Sequence, residues 1–506
     1  MRSAIILVTC LGFIGAAAQD RELAFKKYFD TLATHQLYDG NIALAENGHK
    51  VYSFSGGYAN YATAQRNTGQ SRFNLASISK IFTSTAILQL RDKGKLKLDD
   101  EVKKHLPGFP FSGVTLYHLL THTSGLPNLE LYEEVVKQYP DSVITNDAIL
   151  PLLNQWKKGL YFKPGDEFRY CNTNYNLLAM IVEKVSGIDL PRYMEKNIFR
   201  PAGMRNSYIA AVGGPADSLR VVQQVRPTFY DTAYLQADKV KRYRYTEYNN
   251  SGSLGSSNLI TTVDDMLRFD NAFFSGKLLA LFSVEEALRP VKLNNGKEYQ
   301  EHMDTMRGDG AGQYGLGWEI FDMPGYGKGV GHGGYKFGLA TFYYHNLRSK
   351  QVIVAYTNGT STFGDNVTSC LYMLNGQAAI PVSIKQSAVR AYAKALMTEG
   401  ADHAACMLHI YMGDTTHYYF SSRELNFLGY DFLYQSNAPE HKQWSLETFK
   451  LNTFIEPANF NTYDSYGEAL LEAGRKADAI RMYRKSLDLN PTSEDGIKAM
   501  KKMGII

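Results

Sequence analysis

Cysteine is scarce, with four in 506 residues, at Cys10, Cys171, Cys370 and Cys406. Cys10 falls in a leader segment, and the other three are an odd, widely spaced set, which excludes a disulfide framework. Charge of one sign is also missing. Against 54 lysines and arginines stand 50 aspartates and glutamates, a net charge of +4, and no basic block or nucleic-acid motif occurs, so no nucleic-acid partner is expected. No apolar run is long enough to serve as a transmembrane segment. His118 and His122 have a spacing that could hold zinc, but the pair lacks the glutamate of a His-Glu-x-x-His helix and an evident third ligand. Both are assigned to packing and capping, and no metal or organic cofactor is expected.

What is present is ordinary globular protein, 44% hydrophobic and 21% charged, long enough for one large domain and a smaller one. Residues 1–18 read as a signal peptide: Arg2, an apolar run from Ala4 to Ile14, then Gly15-Ala-Ala-Ala18 before Gln19. Leu7-Val-Thr-Cys10 is a poor lipoprotein box because Thr9 precedes the cysteine and the apolar stretch is short, so a lipid anchor is not expected. The expectation is an exported protein, periplasmic or secreted.

Two β-type runs flank Glu46-Asn47-Gly48, a hairpin signal. Soon after comes Phe73-Asn-Leu-Ala-Ser77-Ile-Ser-Lys80, opening an apolar helix that starts at Ser77 and stops at Lys93-Gly94. Residues three apart share a helix face, which stacks the Lys80 amine one turn behind the Ser77 hydroxyl. An amine there can take the hydroxyl proton, and the helix N-terminus offers N–H donors to a developing oxyanion. Ser-x-x-Lys is common by chance, so the context decides.

Downstream, Leu119-Leu-Thr-His-Thr-Ser-Gly-Leu126 ends a short helix, and Pro164-Gly-Asp turns the chain toward Tyr170-Cys-Asn172 at the head of another helix. Tyr-x-Asn also occurs at Tyr58, Tyr248, Tyr344 and Tyr356, but only Tyr170 has that turn-and-helix setting. Gly213 to Asn250 is irregular, with the basic run Lys239-Val-Lys-Arg-Tyr-Arg-Tyr245, and is taken as a solvated loop in preference to a substrate-contacting flap. Thr262 is placed as the N-cap of the helix that follows Ser251–Ser257. Strands are expected at 314–320, 329–334, 339–344 and 351–357, the last two paired across Asn346–Lys350.

These segments together resemble the serine β-lactamase and penicillin-binding-protein superfamily, in its class C-like branch, over approximately residues 25 to 375. The resemblance rests on Ser77-Ile-Ser-Lys80, Leu119–Leu126, Pro164-Gly-Asp with Tyr170-Cys-Asn172, Tyr314-Gly-Leu-Gly-Trp318 and Gly331-His-Gly-Gly334, all in family order. It implies an α+β fold: an antiparallel sheet of N- and C-terminal strands flanked by helices, with a helical lobe inserted between them. It makes Ser77 the acylated nucleophile, Lys80 its proton partner and Tyr170 the general base. Asn172 orients Lys80 and a substrate amide. His332-Gly333-Gly334 occupies the place of a Lys-Thr-Gly strand, so His332 stands in for the lysine. The N–H groups of Ser77 and Tyr335 form the oxyanion hole. A histidine is mostly neutral at pH 7 and Gly333 has no hydroxyl, so strong antibiotic hydrolysis is not expected.

Residues 381–506 read as an all-α extension. Tyr463, Gly467, Leu470, Ala479, Tyr483 and Pro491 have the spacing of a tetratricopeptide helix pair, with a degenerate copy over 424–456. The domains are therefore 1–18, signal; 19–380, hydrolase; 381–506, helical. The function expected is an exported serine hydrolase that acts on a small ester or a D-amino-acid-type amide or peptide. A β-lactamase or carboxypeptidase, and a catalytically weak module that binds peptidoglycan or protein through the C-terminal helices, are the alternatives.

Overall fold

The computed structural model describes residues 20–305, 308–359 and 363–505. The expected signal peptide, with Cys10, lies outside them. Residues up to Val225 together with Gln236–Val382 make one compact unit, and Arg226–Leu235 with Ser383–Ile506 make a second.

The first unit is built on an eight-stranded sheet. Its strands are β1 (Gly40–Glu46), β2 (His49–Gly56), β3 (Glu301–Thr305), β4 (Gly308–Tyr314), β5 (Glu319–Met323), β6 (Gly327–Lys336), β7 (Leu339–Asn346) and β8 (Gln351–Thr357). The spatial order is β3-β4-β5-β6-β7-β8-β1-β2, with every neighbouring pair antiparallel. The N-terminal hairpin thus joins the last strand, pairing Gly40 with Thr357 through to Glu46 with Gln351. This is the fold class expected.

Side-chain alternation explains why β1 and β8 carry almost no exposed residue. Ile42, Leu44, Ile353 and Ala355 pack with Phe25, Phe29, Val367 and Leu371 from α1 (residues 20–34) and α5 (Phe363–Leu374). Ala43, Ala45, Val352 and Val354 face the opposite way, into the core shared with α2 (Ser79–Asp92), α3 (Asn172–Ser186) and α4 (Val263–Phe274). A strand covered on both faces must be apolar at every position. Asn47 and Gly48, at φ +49° and +79°, close the β1–β2 hairpin in the left-handed geometry such a turn requires.

Two details differ from the sequence reading. The run from Tyr314 to Ile320 is not one strand: β4 ends at Tyr314, and Gly315–Trp318 turns the chain into β5, with Gly315 N–H donating to Trp318 O at 2.8 Å. Gly317, at φ +85°, is needed there because a Cβ would sit 2.8 Å from both Ser84 Cβ and the Tyr175 hydroxyl. The α-helix of the Ser-x-x-Lys stretch opens at Ser79, and Ser77 lies in a single 3₁₀ turn, Ala76–Ile78, ahead of it. Elsewhere Thr262 caps α4 by accepting from Asp265 N–H at 3.2 Å, and β7 and β8 pair as expected.

Every residue of α2 from Ser79 to Leu90 is buried. Its polar groups are paired: Thr83 donates to Gly255 O at 2.8 Å, Ser84 to Leu316 O, and Gln89 to Asn197 O and Leu278 O at 3.0 and 3.1 Å. A helix apolar all round can only be a core helix.

In the second unit, helices follow one another in short-looped succession: Ala388–Glu399, Ala401–Gly413, Ser422–Gln435, His441–Ile455, Phe460–Glu472, Lys476–Leu489 and Glu494–Lys502. Gly467 lies against the Tyr483 ring, and a Cβ there would come within 3.1 Å of it. Gly429 lies against the Phe449 ring one helix pair earlier, with 2.5 Å available. Arg226–Leu235, which the sequence places within the 19–380 segment, belongs with these helices. Tyr230 stacks on Phe432 at 4.9 Å and Arg390 lies over the Phe229 ring at 4.4 Å.

Because Ile87 is fully buried in α2, Ile87→Ala should lower the stability of the first unit by about 2–5 kcal/mol. The measurement is the denaturant midpoint of that unit, followed by Trp318 fluorescence.

Candidate active site

Ser77 and Lys80 sit where the 3₁₀ turn meets α2. Ala76, just before the serine, is held at φ +47°, a conformation costly for a residue with a side chain. Two contacts keep it there. Ala76 N–H donates to Asn74 Oδ1 at 2.9 Å, and Leu75 O accepts from Thr341 Oγ1 on β7 at 2.9 Å. Strand β6 passes so close that a Cβ on Gly334 would lie 2.4 Å from Leu75 O, so glycine alone fits.

The Lys80 ammonium is wholly buried and lies among three oxygens: Ser77 Oγ at 3.0 Å, Asn172 Oδ1 at 2.9 Å and Ser256 O at 3.0 Å. Burial pulls its pKa down to about 7, against the opposing attraction of Glu319. Tyr170 completes the group. Ser77 is near enough to its phenol to oppose the effect of burial on it, and Lys80 Nζ lies 4.8 Å from the ring centre. Burial nonetheless drives the phenol well above its ordinary range, so it is protonated at neutral pH.

Asn172 is the first residue of α3; its N–H donates to Asn128 Oδ1 at 2.9 Å and fixes the turn that presents Tyr170. His122 backs that turn. Its ring lies 4.3 Å from the Tyr170 ring, and its Nδ1 accepts from Cys171 N–H at 3.1 Å. His118 caps its own helix in a box with Thr115. The two histidines thus act separately, as packing and cap, and among the described residues no cluster of metal-ligating side chains occurs.

His332 does not face the substrate space in a lysine's place. Its side chain is 1% exposed, with Nδ1 at 2.6 Å from Gly333 O and Nε2 at 3.1 Å from the Tyr314 hydroxyl. Burial, with Lys80 nearby, lowers its pKa to about 3, so it is neutral and brings no cation. Gly333 N–H donates to Glu319 Oε2 at 2.9 Å.

Glu319 escaped the sequence reading although it directly follows Trp318. An acid set between Trp318 and Ile320 was the available signal. Burial pushes its carboxyl up to about 7, against the Gly333 hydrogen bond and Lys80. The sequence also did not identify Ser256, whose carbonyl holds Lys80. Of the two readings for Gly213–Asn250, the less favoured one, a substrate-contacting flap, fits its end, because Thr246, Glu247 and Asn250 line the cavity of about 180 Å³ that holds Ser77, Asn172 and Tyr335. The solvated-loop expectation for the run ending at Tyr245 also fails at that end, because the Tyr245 hydroxyl donates to Leu129 O and the Tyr243 ring stacks on Phe337 at 4.0 Å.

Since the Glu319 carboxylate favours the charged form of Lys80, Glu319→Gln should move the Lys80 titration to lower pH while leaving an acceptor for Gly333 N–H. The check is the pH midpoint of Ser77 modification by a fluorophosphonate, which should fall in the variant.

A family model described as Beta-lactamase matches residues 25–370. Penicillin-binding protein 4* of Bacillus subtilis (strain 168) is 32% identical over 343 residues, covering 67% of this chain and 72% of that protein. Among solved structures, a penicillin-binding protein from Bacillus halodurans superposes with TM-score 0.57 at 25% identity, over 68% of this chain and 97% of that one. The D-amino acid amidase of Ochrobactrum anthropi SV3, complexed with D-phenylalanine, shares the fold at TM-score 0.57 and 22% identity, over 71% of this chain and 98% of that one. With a buried lysine beside a serine at the foot of the core helix and a family match over residues 25–370, the chain belongs to the β-lactamase family of serine hydrolases.

Proposed function

We propose that this protein is an exported hydrolase that forms an acyl-enzyme on Ser77 and cleaves an ester or a D-amino-acid-type amide. One observation carries the reading: a wholly buried lysine, its pKa brought to about 7, with its nitrogen 3.0 Å from the Ser77 hydroxyl. A lysine free in water is protonated at neutral pH and cannot act as a base. This one is unprotonated in a large share of molecules.

In the forward step Lys80 in its neutral form takes the Ser77 proton as Oγ bonds to the substrate carbonyl carbon. The oxyanion is met by the N–H groups of Ser77 and Tyr335. Collapse breaks the bond to the leaving group, which takes a proton from the Tyr170 phenol, and the Lys80 ammonium returns a proton to Tyr170. Water then attacks the acyl-enzyme by the reverse route and releases the acid. Tyr170 is thus a relay that starts protonated, with Lys80 as the resting base. Asn172 holds the lysine nitrogen in line, and Gly334 admits the strand that brings Tyr335 near. His332 and Gly333 offer the substrate neither a charge nor a side-chain donor, which supports esters and amides over β-lactams. Of the relatives' names, that of the D-amino acid amidase favours the amide class, while the penicillin-binding proteins are named for a β-lactam.

For the second unit we favour a tetratricopeptide-like reading, supported by the repeated glycine-against-aromatic packing of Gly429 on Phe449 and Gly467 on Tyr483. Export rests on the leader composition of residues 1–18.

Wild-type protein should take one fluorophosphonate on Ser77 and hydrolyse short-chain esters or D-amino-acid amides, with Ser77→Ala losing both by at least ~10³-fold. The labelling rate should rise with pH through a midpoint near 7, as Lys80 gives up its proton. Lys80→Arg, charged at every accessible pH, should lose that rise. An unlabelled Ser77 would sink the reading. In an exporting host, N-terminal sequencing should find the mature chain starting at Gln19.

A further inference from the structure

The cavity that holds Ser77 has a neighbour. A second cavity of about 410 Å³ lies in the same unit, and Glu247 and Lys336 line both. These two residues form the wall between them, with Lys336 Nζ 3.7 Å from Glu247 Oε2.

The charges around the second cavity are unevenly committed. Its acids are already occupied. Asp217 accepts from Arg72 at 3.1 Å, the Tyr208 hydroxyl at 2.9 Å and Leu219 N–H at 3.0 Å. Glu247 uses one oxygen for Phe337 N–H at 3.1 Å and the other for Gln223 Nε2 at 3.0 Å. Asp238 pairs with Lys239 at 3.4 Å. The cations are not. Lys336, with a side chain only 12% exposed, has that single 3.7 Å contact and no hydrogen bond among the described residues. Arg220 lines the same cavity, and its side chain has neither an ion pair nor a hydrogen bond among the described residues. A nearly buried ammonium with open donors is costly unless something anionic completes it.

We propose that the second cavity is a subsite for an anionic group, a carboxylate on an extended part of the substrate, gripped by Lys336 and Arg220 while the scissile carbonyl lies at Ser77. This rests on the hydrolase reading above and narrows its substrate class to esters or amides that carry a negative charge remote from the bond cleaved. His332 supplies no cation, and Lys336 is the positively charged side chain that lines both spaces.

The test compares p-nitrophenyl monoesters of C4 to C8 dicarboxylic acids with the matching neutral acyl esters, and hexanoate esters of carboxylate-bearing phenols with their carboxamide counterparts. In at least one series the anionic ester should be preferred in kcat/KM by tenfold or more, mainly through KM, and the preference should shrink with added salt. Arg220→Met and Lys336→Met should each cut the anionic-to-neutral ratio about tenfold, with Arg220→Lys and Lys336→Arg recovering part of it. Calorimetry of adipate against adipamide on the Ser77→Ala protein reads the subsite without turnover. Adipate binding that is lost in Lys336→Met, in a protein that cleaves no ester, would uphold the subsite and defeat the nucleophile. Ester turnover with no anionic preference in either series would do the reverse and overturn this proposal.

Discussion

The structure around Ser77 depends on the burial of one amine. Lys80 is taken out of water on a helix that is inside the protein on every side, and of the three oxygens around its nitrogen one is Ser77, a turn away, while Asn172 and Ser256 come from distant parts of the chain. Desolvation disfavours the ammonium, while carbonyl and amide oxygens and the Glu319 carboxyl favour it. The balance falls near neutrality, which is where a base must titrate if it is to be both available and strong.

Glu319 mirrors the lysine. Desolvation brings both to about 7, from opposite directions. Around them stand groups that burial holds neutral: His122, His332 and the phenols of Tyr170, Tyr175 and Tyr314. The pocket is thus rich in polar atoms and poor in fixed charge. The charged side chains lie further out, at the wall made by Glu247 and Lys336, where the space around Ser77 meets its neighbour.

Backbone geometry does the remaining positioning. The left-handed Ala76 turns the serine out of the helix line and toward the cavity, and it stays there because Asn74 holds its N–H and β6 crosses close behind. Gly334 and Gly317 are each required by an approach closer than any side chain permits, one against the nucleophile turn and one against Ser84 and Tyr175. These are costs in local conformation that the surrounding sheet and helices over-determine.

The sequence by itself determined the elements whose signals are local: the Asn47-Gly48 hairpin, the apolar helix after Ser77, the Thr262 cap, the terminal strands of one sheet, and the helices after residue 383. It also put Ser77 and Lys80 on one face, since three residues along a helical chain fix that relation whatever surrounds it. Only the tertiary structure decided what depends on residues far apart in the chain. Tyr314–Ile320 reads as one strand until Ser84 and Tyr175 force its glycines into a turn. His332 reads as a substrate contact until β4 supplies the Tyr314 hydroxyl that turns it inward. Whether Lys80 or Tyr170 is unprotonated at rest is a matter of desolvation, and desolvation is set by every atom packed nearby, which no window of sequence contains.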